Sequence, residues 1–274
     1  MSIKISPKSV EEAYEIVSEI GKGTYGKVYK AICKEDKKPR ALKEIKIQSL
    51  DELHSIANEI SIMQKCKHKN IVRYYETLRY GENCIVIAME ICEGGSLMSL
   101  FDKSHIGLDE EQLSFAVKEV LKGLSFLHKK KVIHRDIKAG NILITANGDI
   151  KLADFGVSAS LKMTVDNRKT AIGSPYWMAP EVIQQEEYSF QADIWSLGIT
   201  AIELATGRPP LADIHAFRAI FMIPTRPSPK LGEIAGKHPS PELEDFLASC
   251  FVKNPAKRAS CDELLRVAPF LKEM

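Results

Sequence analysis

Along the first part of the chain, apolar and polar residues alternate at short period; further on, apolar residues recur at helical spacing. The segments YEIVSEI, GKVYKAI and RALKEIKI, between Tyr14 and Ile47, have the pattern of half-buried strands parted by turn-rich or charged stretches. A helix is predicted next. Ser49 with Glu52 forms the pattern of a capping box, and Leu53, Ile56, Ala57, Ile60 and Met63 follow at helical spacing. The runs IVRYYETLRY and NCIVIAME predict two more strands, and Glu93-Gly94-Gly95 then breaks the pattern. Beyond it, Leu113, Ala116, Val117, Val120, Leu121, Leu124 and Leu127 form one apolar helical stripe. DIWSLGITAIELATG is apolar on most faces, which predicts a buried helix with Gly207 as its C-terminal cap. The expected class is α+β in one domain. An N-terminal extension (1–13) leads into a small sheet with one helix (14–90), a hinge region (91–95) and a larger helical lobe (96–274). A cleft between two such lobes is a favoured ligand site.

Composition narrows the function. The 274 residues suit one large domain or two tightly associated lobes. A net charge of +2 gives no broad electrostatic case for nucleic acid or a membrane surface. Cys33, Cys66, Cys84, Cys92, Cys250 and Cys261 form no CxxC pair, so neither a zinc ribbon nor a disulfide framework is suggested, and a reducing compartment fits. The beginning of the sequence lacks an apolar core of signal-peptide length, and the longest apolar run, Cys84 to Met89, is far too short to span a bilayer. A cytoplasmic location is expected. His54, His105, His128, His215 and His238 show no metal-ligand spacing and receive no role, while Lys129 to Lys131 and the Lys65–Lys69 region read as solvated surface.

The candidate chemistry lies in motifs at fixed offsets. Gly21-Lys22-Gly23-Thr24-Tyr25-Gly26-Lys27-Val28 fits G-x-G-x-x-G-x-V, a loop whose glycines let backbone N–H groups approach phosphate oxygens. Taken alone it is equally a hairpin turn, but a strand pattern follows it, which argues against a dinucleotide fold. Ala41-Leu42-Lys43 sits on the third strand, where a lysine facing a cleft can clamp phosphates, and Glu59 on the following helix is its expected buried partner. His134-Arg135-Asp136-Ile137-Lys138-Ala139-Gly140-Asn141 sets four polar groups at fixed offsets between the apolar runs VIH and ILI. Asp136 is the candidate for orienting a substrate hydroxyl and taking its proton, Lys138 for neutralising a transferred phosphoryl group, and Asn141 for holding a metal ion. Asp154-Phe155-Gly156 supplies a second metal ligand, Asp154. Asp193, in the apolar helix, needs hydrogen-bond donors, and the backbone N–H groups of the His134–Asp136 turn are the natural ones. Glu181, in Ala179-Pro180-Glu181, needs a partner as well, and Arg258 is the best candidate.

Together these motifs, each present once and in family order, resemble the eukaryotic protein kinase family over about residues 14–271. The resemblance implies a bilobal protein kinase fold with ATP between the lobes and Mg2+ (or Mn2+) as cofactor. KLADFGVSA, GSPYWMAPEVI and ADIWSLGITAIELATGRPP resemble the sterile-twenty group, and NEISIMQKC with IHAFRAIFMIP is similar to its Hippo/germinal-centre branch, although Ala216-Phe217 departs from the Pro-Met usual there. By this resemblance Met89 is the gatekeeper, Glu90 and Cys92 present hinge backbone groups to the adenine edge, and Val28, Ala41 and Leu143 sandwich the ring, with Ile20 also counted among the cofactor-binding residues. Met63, Tyr74, His134 and Phe155 would stack as a regulatory spine.

The resemblance also implies the substrate and the control. Lys138 and Ser174-Pro175 resemble serine/threonine kinases, so the expected partners are protein substrates with Ser or Thr acceptors. Ser96 and Gly140 stand where strongly basophilic kinases have Glu, which implies weak dependence on arginine at substrate positions −3 and −2. Thr170 is the expected activating phosphosite, modified by an upstream activator or in trans by a second copy. Arg135 is its anchor, with Lys162 or Arg168 as helpers. Two other readings compete: a catalytically weak, pseudokinase-like scaffold, and a small-molecule phosphotransferase. Lys43, Asp136 and Asp154 are all present, against the first, and the long segment from Asp154 to Glu181 suits a peptide-binding surface, against the second.

Overall fold

A computed structural model gives the fold and describes residues 5–23, 26–81, 83–104, 107–154, 175–235 and 239–272. The N-terminal lobe begins with a short helix α1 (Val10–Ala13), capped by Ser9 and Glu12 in a reciprocal capping box. Strands β1 (Tyr14–Gly23), β2 (Gly26–Cys33) and β3 (Pro39–Lys46) follow. Helix α2 (Leu50–Lys65) precedes β4 (Tyr74–Arg79) and β5 (Cys84–Met89). The five strands form one antiparallel sheet in the order β1-β2-β3-β5-β4. One face buries Leu42, Leu78, Val86 and Ala88 beneath α1 and Tyr14. The other contributes Ile45, Ile85 and Ile87 to the main core.

Two local details differ from the sequence expectation. Ser49 caps α2 by accepting from the Glu52 N–H at 3.2 Å, but the Glu52 carboxylate reaches past Ser49 to the Gln48 N–H at 2.7 Å, so the box is not reciprocal. The fourth strand begins at Tyr74 rather than Ile71. Ile71 and Val72 run beside the C-terminal lobe instead: the Val72 N–H donates to the Leu152 carbonyl at 2.9 Å, and the Leu152 N–H to the Asn70 carbonyl at 2.9 Å. Both apolar side chains are buried there. These bonds stitch the two lobes together.

The C-terminal lobe starts with β6 (Gly95–Ser96), α3 (Leu97–Ser104) and α4 (Glu110–Lys129). All seven residues of the α4 stripe are buried. Strand β7 (Ile142–Ile144) pairs with β6 on one side and with β8 (Ile150–Leu152) on the other, in a small sheet of order β6-β7-β8. Helices α5 (Pro180–Ile183), α6 (Gln191–Thr206), α7 (Ala216–Thr225), α8 (Leu231–Ala235), α9 (Pro241–Cys250) and α10 (Cys261–Val267) complete the lobe. Helix α6 is buried from Ala192 to Leu204, and Gly207 caps it in a left-handed conformation at φ 82°. The Gly198 position on α6 faces Phe251 so closely that a Cβ would lie 2.7 Å from its ring, which explains the glycine inside a helix. No helix among the described residues is long and apolar enough to cross a membrane.

Candidate active site

Strand register assembles the upper wall. Gly21 pairs with Val28, Val28 with Lys43 and Lys43 with Ile87, so the glycine turn, an apolar side chain and the lysine lie abreast. Ala41 pairs with Met89 at the end of β5. Ile20 falls in a register irregularity of β1 and is exposed, as is Lys22. Gly23 and Gly26 face each other across the turn, and Thr24 lies outside the described residues. Gly26 has a packing reason of its own: a Cβ there would sit 2.2 Å from the Glu44 carbonyl oxygen on β3.

Past Met89 the chain crosses between the lobes. The Glu90 N–H donates to the Arg73 carbonyl at 2.8 Å, and the Glu90 carboxylate takes Lys151 at 3.1 Å and the Arg73 N–H at 3.1 Å. The Cys92 carbonyl accepts from the Gly95 N–H at 3.1 Å. Burial, reinforced by Glu90, pushes the Cys92 thiol up to about 12, so it stays protonated. Leu143 on β7 is half-buried below.

The lower wall is the loop from His134 to Asn141, anchored from beneath by buried carboxylates. Asp193 has no exposure and accepts from the backbone N–H groups of His134 and Arg135, both at 2.8 Å, as the sequence implied. These bonds hold Arg135 at φ 71°, a left-handed conformation costly for a non-glycine residue. Glu203, also on α6, accepts from the Ala139 N–H at 3.0 Å and from the Trp177 indole at 2.8 Å. At the loop surface, Asp136 Oδ2 meets Lys138 Nζ at 2.8 Å and Asn141 Nδ2 at 2.7 Å.

Asp154 is fixed through its neighbour. The Ala153 N–H donates to the Asn141 carbonyl at 2.9 Å, and the His134 ring pairs with the Ala153 carbonyl at 3.0 Å. Asp154 itself is left-handed at φ 57°. Burial lowers the His134 pKa, so the ring is neutral and donates a single N–H to that carbonyl.

Lys43 departs from the sequence expectation. Its ammonium meets Asp154 Oδ1 at 2.5 Å and forms no ion pair with Glu59. Glu59 is buried at 2% exposure, and burial first, then repulsion by Asp154, pushes its carboxyl up to about 8 against the opposing pull of Lys43 and Arg135. A neutral Glu59 has little hold on the lysine, which pairs with Asp154 instead. Met63 and His134 are buried, with Tyr74 packed against the same core; Phe155 lies outside the described residues.

Thr170, Ser174, Lys162 and Arg168 also lie outside the described residues. Arg135 is exposed, its guanidinium 5.7 Å from the Tyr188 ring. The Glu181–Arg258 pair is as expected. Both residues are buried, and every N–H of the guanidinium has an acceptor: both Glu181 oxygens at 2.6 and 2.9 Å, and the carbonyls of Gln191, Val252 and Lys253.

Sequence reasoning missed Glu203 and His128. A carboxylate inside an apolar helix must find donors. That argument identified Asp193 and applies equally to Glu203. His128 Nε2 lies 2.8 Å from Asp193 Oδ2, a contact between positions 65 apart that no local pattern announces.

The protein kinase domain family matches residues 14–270. Two curated relatives, each named serine/threonine-protein kinase cst-1, come from Caenorhabditis elegans and Caenorhabditis briggsae. Each is 48% identical over 254 residues, which cover 92% of this chain and 50% of the relative. The chain thus spans about half the length of the curated relatives it matches.

Proposed function

The chain belongs to the protein kinase domain family, and on that premise we propose that it transfers the γ-phosphoryl group of ATP to serine or threonine hydroxyls of protein substrates. The observation that carries this is the Asp136–Lys138–Asn141 cluster, tied through Ala153 to Asp154 opposite Lys43. Its geometry supports the following roles. Asp136 commits Oδ2 to Lys138 and Asn141, which leaves Oδ1 to orient the acceptor hydroxyl and take its proton. Lys138 adds positive charge where the phosphoryl group must pass. Lys43 holds the phosphates of the bound nucleotide, once released from Asp154.

The donor set fits a hard divalent cation. Asn141 spends its amide N–H groups on Asp136, so its side-chain oxygen is left as a ligand, and Asp154 has one carboxylate oxygen beyond the reach of Lys43. Two such oxygens suit Mg2+ or Mn2+, which would neutralise phosphate charge when bound.

Lys138 and Ser174-Pro175 support Ser/Thr rather than Tyr acceptors, and the cst-1 relatives support a sterile-twenty, Hippo-like signalling role. The six free cysteines suit action in the cytoplasm. Phosphorylation of Thr170, by an upstream kinase or a second copy, would give the exposed Arg135 an anionic partner. A scaffold without catalysis has one observation in its favour, the Lys43–Asp154 pair, but every group that catalysis needs is present.

A positional-scanning peptide array with MgATP tests the reading. Phosphoserine and phosphothreonine are expected, without dominance of arginine at −3 or −2. A profile of phosphotyrosine would overturn it. Mass spectrometry of the active protein should find phosphate on Thr170; active protein with Thr170 unmodified would remove that part.

A further inference from the structure

We propose that the pocket behind the hinge, between the loop after α2 and strand β8, is a docking site for a protein segment that carries a phosphorylated side chain. The cavity measures about 460 Å³ and is walled by Lys67, His68, Arg73, Tyr75, Glu90 and Lys151, with Lys69 at its edge. None of its cations belongs to the catalytic cluster.

Lys151 forms the floor. It is only 9% exposed, and two of its three N–H groups go to the Lys69 carbonyl at 2.8 Å and to Glu90 at 3.1 Å. The third remains for a ligand. Lys67 and Arg73 are exposed and have no carboxylate partner among the described residues. Two guanidiniums flank the flat ring of Tyr75, that of Arg40 at 4.0 Å and that of Arg73 at 5.3 Å, which restrains Arg73 at the pocket wall. His68 stacks on Phe126 at 4.9 Å and uses Nδ1 to accept the Asn70 N–H, so its other ring nitrogen is spare. Burial, then the charge of Lys69, with Lys151 and Lys122 adding and Glu119 opposing, lowers the His68 pKa.

A phosphate monoester brings a charge of about −1.5 to −2 and three acceptor oxygens. Those oxygens match the spare donors of Lys151, Lys67 and Arg73. The Tyr75 ring and the stacked imidazole give the attached chain an apolar wall, which a free phosphate would leave unused. The concave shape excludes a flat bilayer surface, and a net charge of +2 gives the protein no general attraction for nucleic acid.

The test is fluorescence anisotropy without ATP, so that its failure leaves the phosphotransfer reading intact. The probe is a labelled peptide pool with degenerate flanks around a fixed phosphoserine or phosphothreonine, compared with the unphosphorylated pool. The phosphorylated pool should bind the wild type and bind Lys67→Glu/Arg73→Glu about tenfold more weakly or worse, as loss of charge-assisted bonds requires. That variant should keep the wild-type kcat on a generic protein substrate. In the wild type, the phosphorylated pool should also shift the His68 imidazole resonance and raise its pKa, a readout that stands even if the variant folds poorly. The proposal is overturned by equal affinity for the two pools or by an unmoved His68 resonance. Undiminished binding to a folded variant would overturn it too, as would inorganic phosphate, duplex DNA or phosphatidylserine vesicles binding as tightly as the phosphopeptides.

Discussion

The two walls of the cleft are held in different ways. Below, the His134–Asn141 loop hangs from buried side chains on α6: Asp193 takes two of its backbone N–H groups and Glu203 a third. Above, Lys43 is held by one contact to Asp154, while its expected partner Glu59 stays buried without an ion pair to it. Backbone N–H groups have no alternative conformations to sample once the loop is anchored. The Lys43 ammonium, at the end of a flexible four-carbon stem, is held by a single carboxylate contact and is the easier of the two to re-aim. The chemistry-bearing loop is therefore fixed by the fold, and the adjustable element is the lysine facing it.

The sharpest way to break the fixed side is Arg258→Ala. It leaves Glu181 as an unpaired carboxylate at 2% exposure and removes every donor that Gln191, Val252 and Lys253 accept from this side chain. A loss of about 3–5 kcal/mol in unfolding free energy is expected by denaturant titration. A change under 1 kcal/mol would mean that the pair does not anchor the lobe. Asp193→Asn is the next largest. It keeps the shape but sets an amide donor against donors in a site without exposure, so a loss of about 2 kcal/mol is expected, with kcat falling while KM for ATP holds. An unchanged kcat would separate the loop anchor from catalysis. Gly207→Ala should cost about 1 kcal/mol and leave activity alone, because a Cβ meets nothing within 4 Å and only the left-handed φ of 82° is strained.

A pH series probes the adjustable side. Folded Glu59 holds its proton to about 8, against 4.5 for the ordinary carboxyl. Between those values the folded state binds more protons than the unfolded chain, so this group makes stability fall as pH rises. Glu59→Gln removes that slope. The melting temperature of the variant should gain on the wild type from about pH 5 to about pH 8, and a constant difference would show that Glu59 is ionised throughout.

Much of the fixed side was legible in the sequence. The α4 stripe, the buried α6 and the Asp193 and Arg258 partnerships follow from periodicity and from the need of a buried charge for a partner. Lys43 was legible as a residue but not in its partner. Asp154 and Glu59 are both acidic residues whose charge Lys43 feels, and only the tertiary arrangement shows that the contact goes to Asp154 while Glu59 stays buried. His128 and the late start of β4 were hidden for a similar reason. Each depends on a contact with a distant segment, Asp193 in one case and Leu152 in the other. The Lys65–Lys69 region read as plain surface, because its pocket exists only once Arg73 and Lys151 fold beside it.

The most direct test of the account compares phosphotransfer from MgATP to a generic basic protein by the wild type and by Asp154→Ala, at equal folded concentration. Asp154 pairs with Lys43 and is the proposed metal ligand, so the variant should lose at least about 100-fold in kcat while the wild type incorporates phosphate on serine and threonine. Equal, background-level rates for the two proteins would contradict the account and leave the chain as a kinase fold without the chemistry.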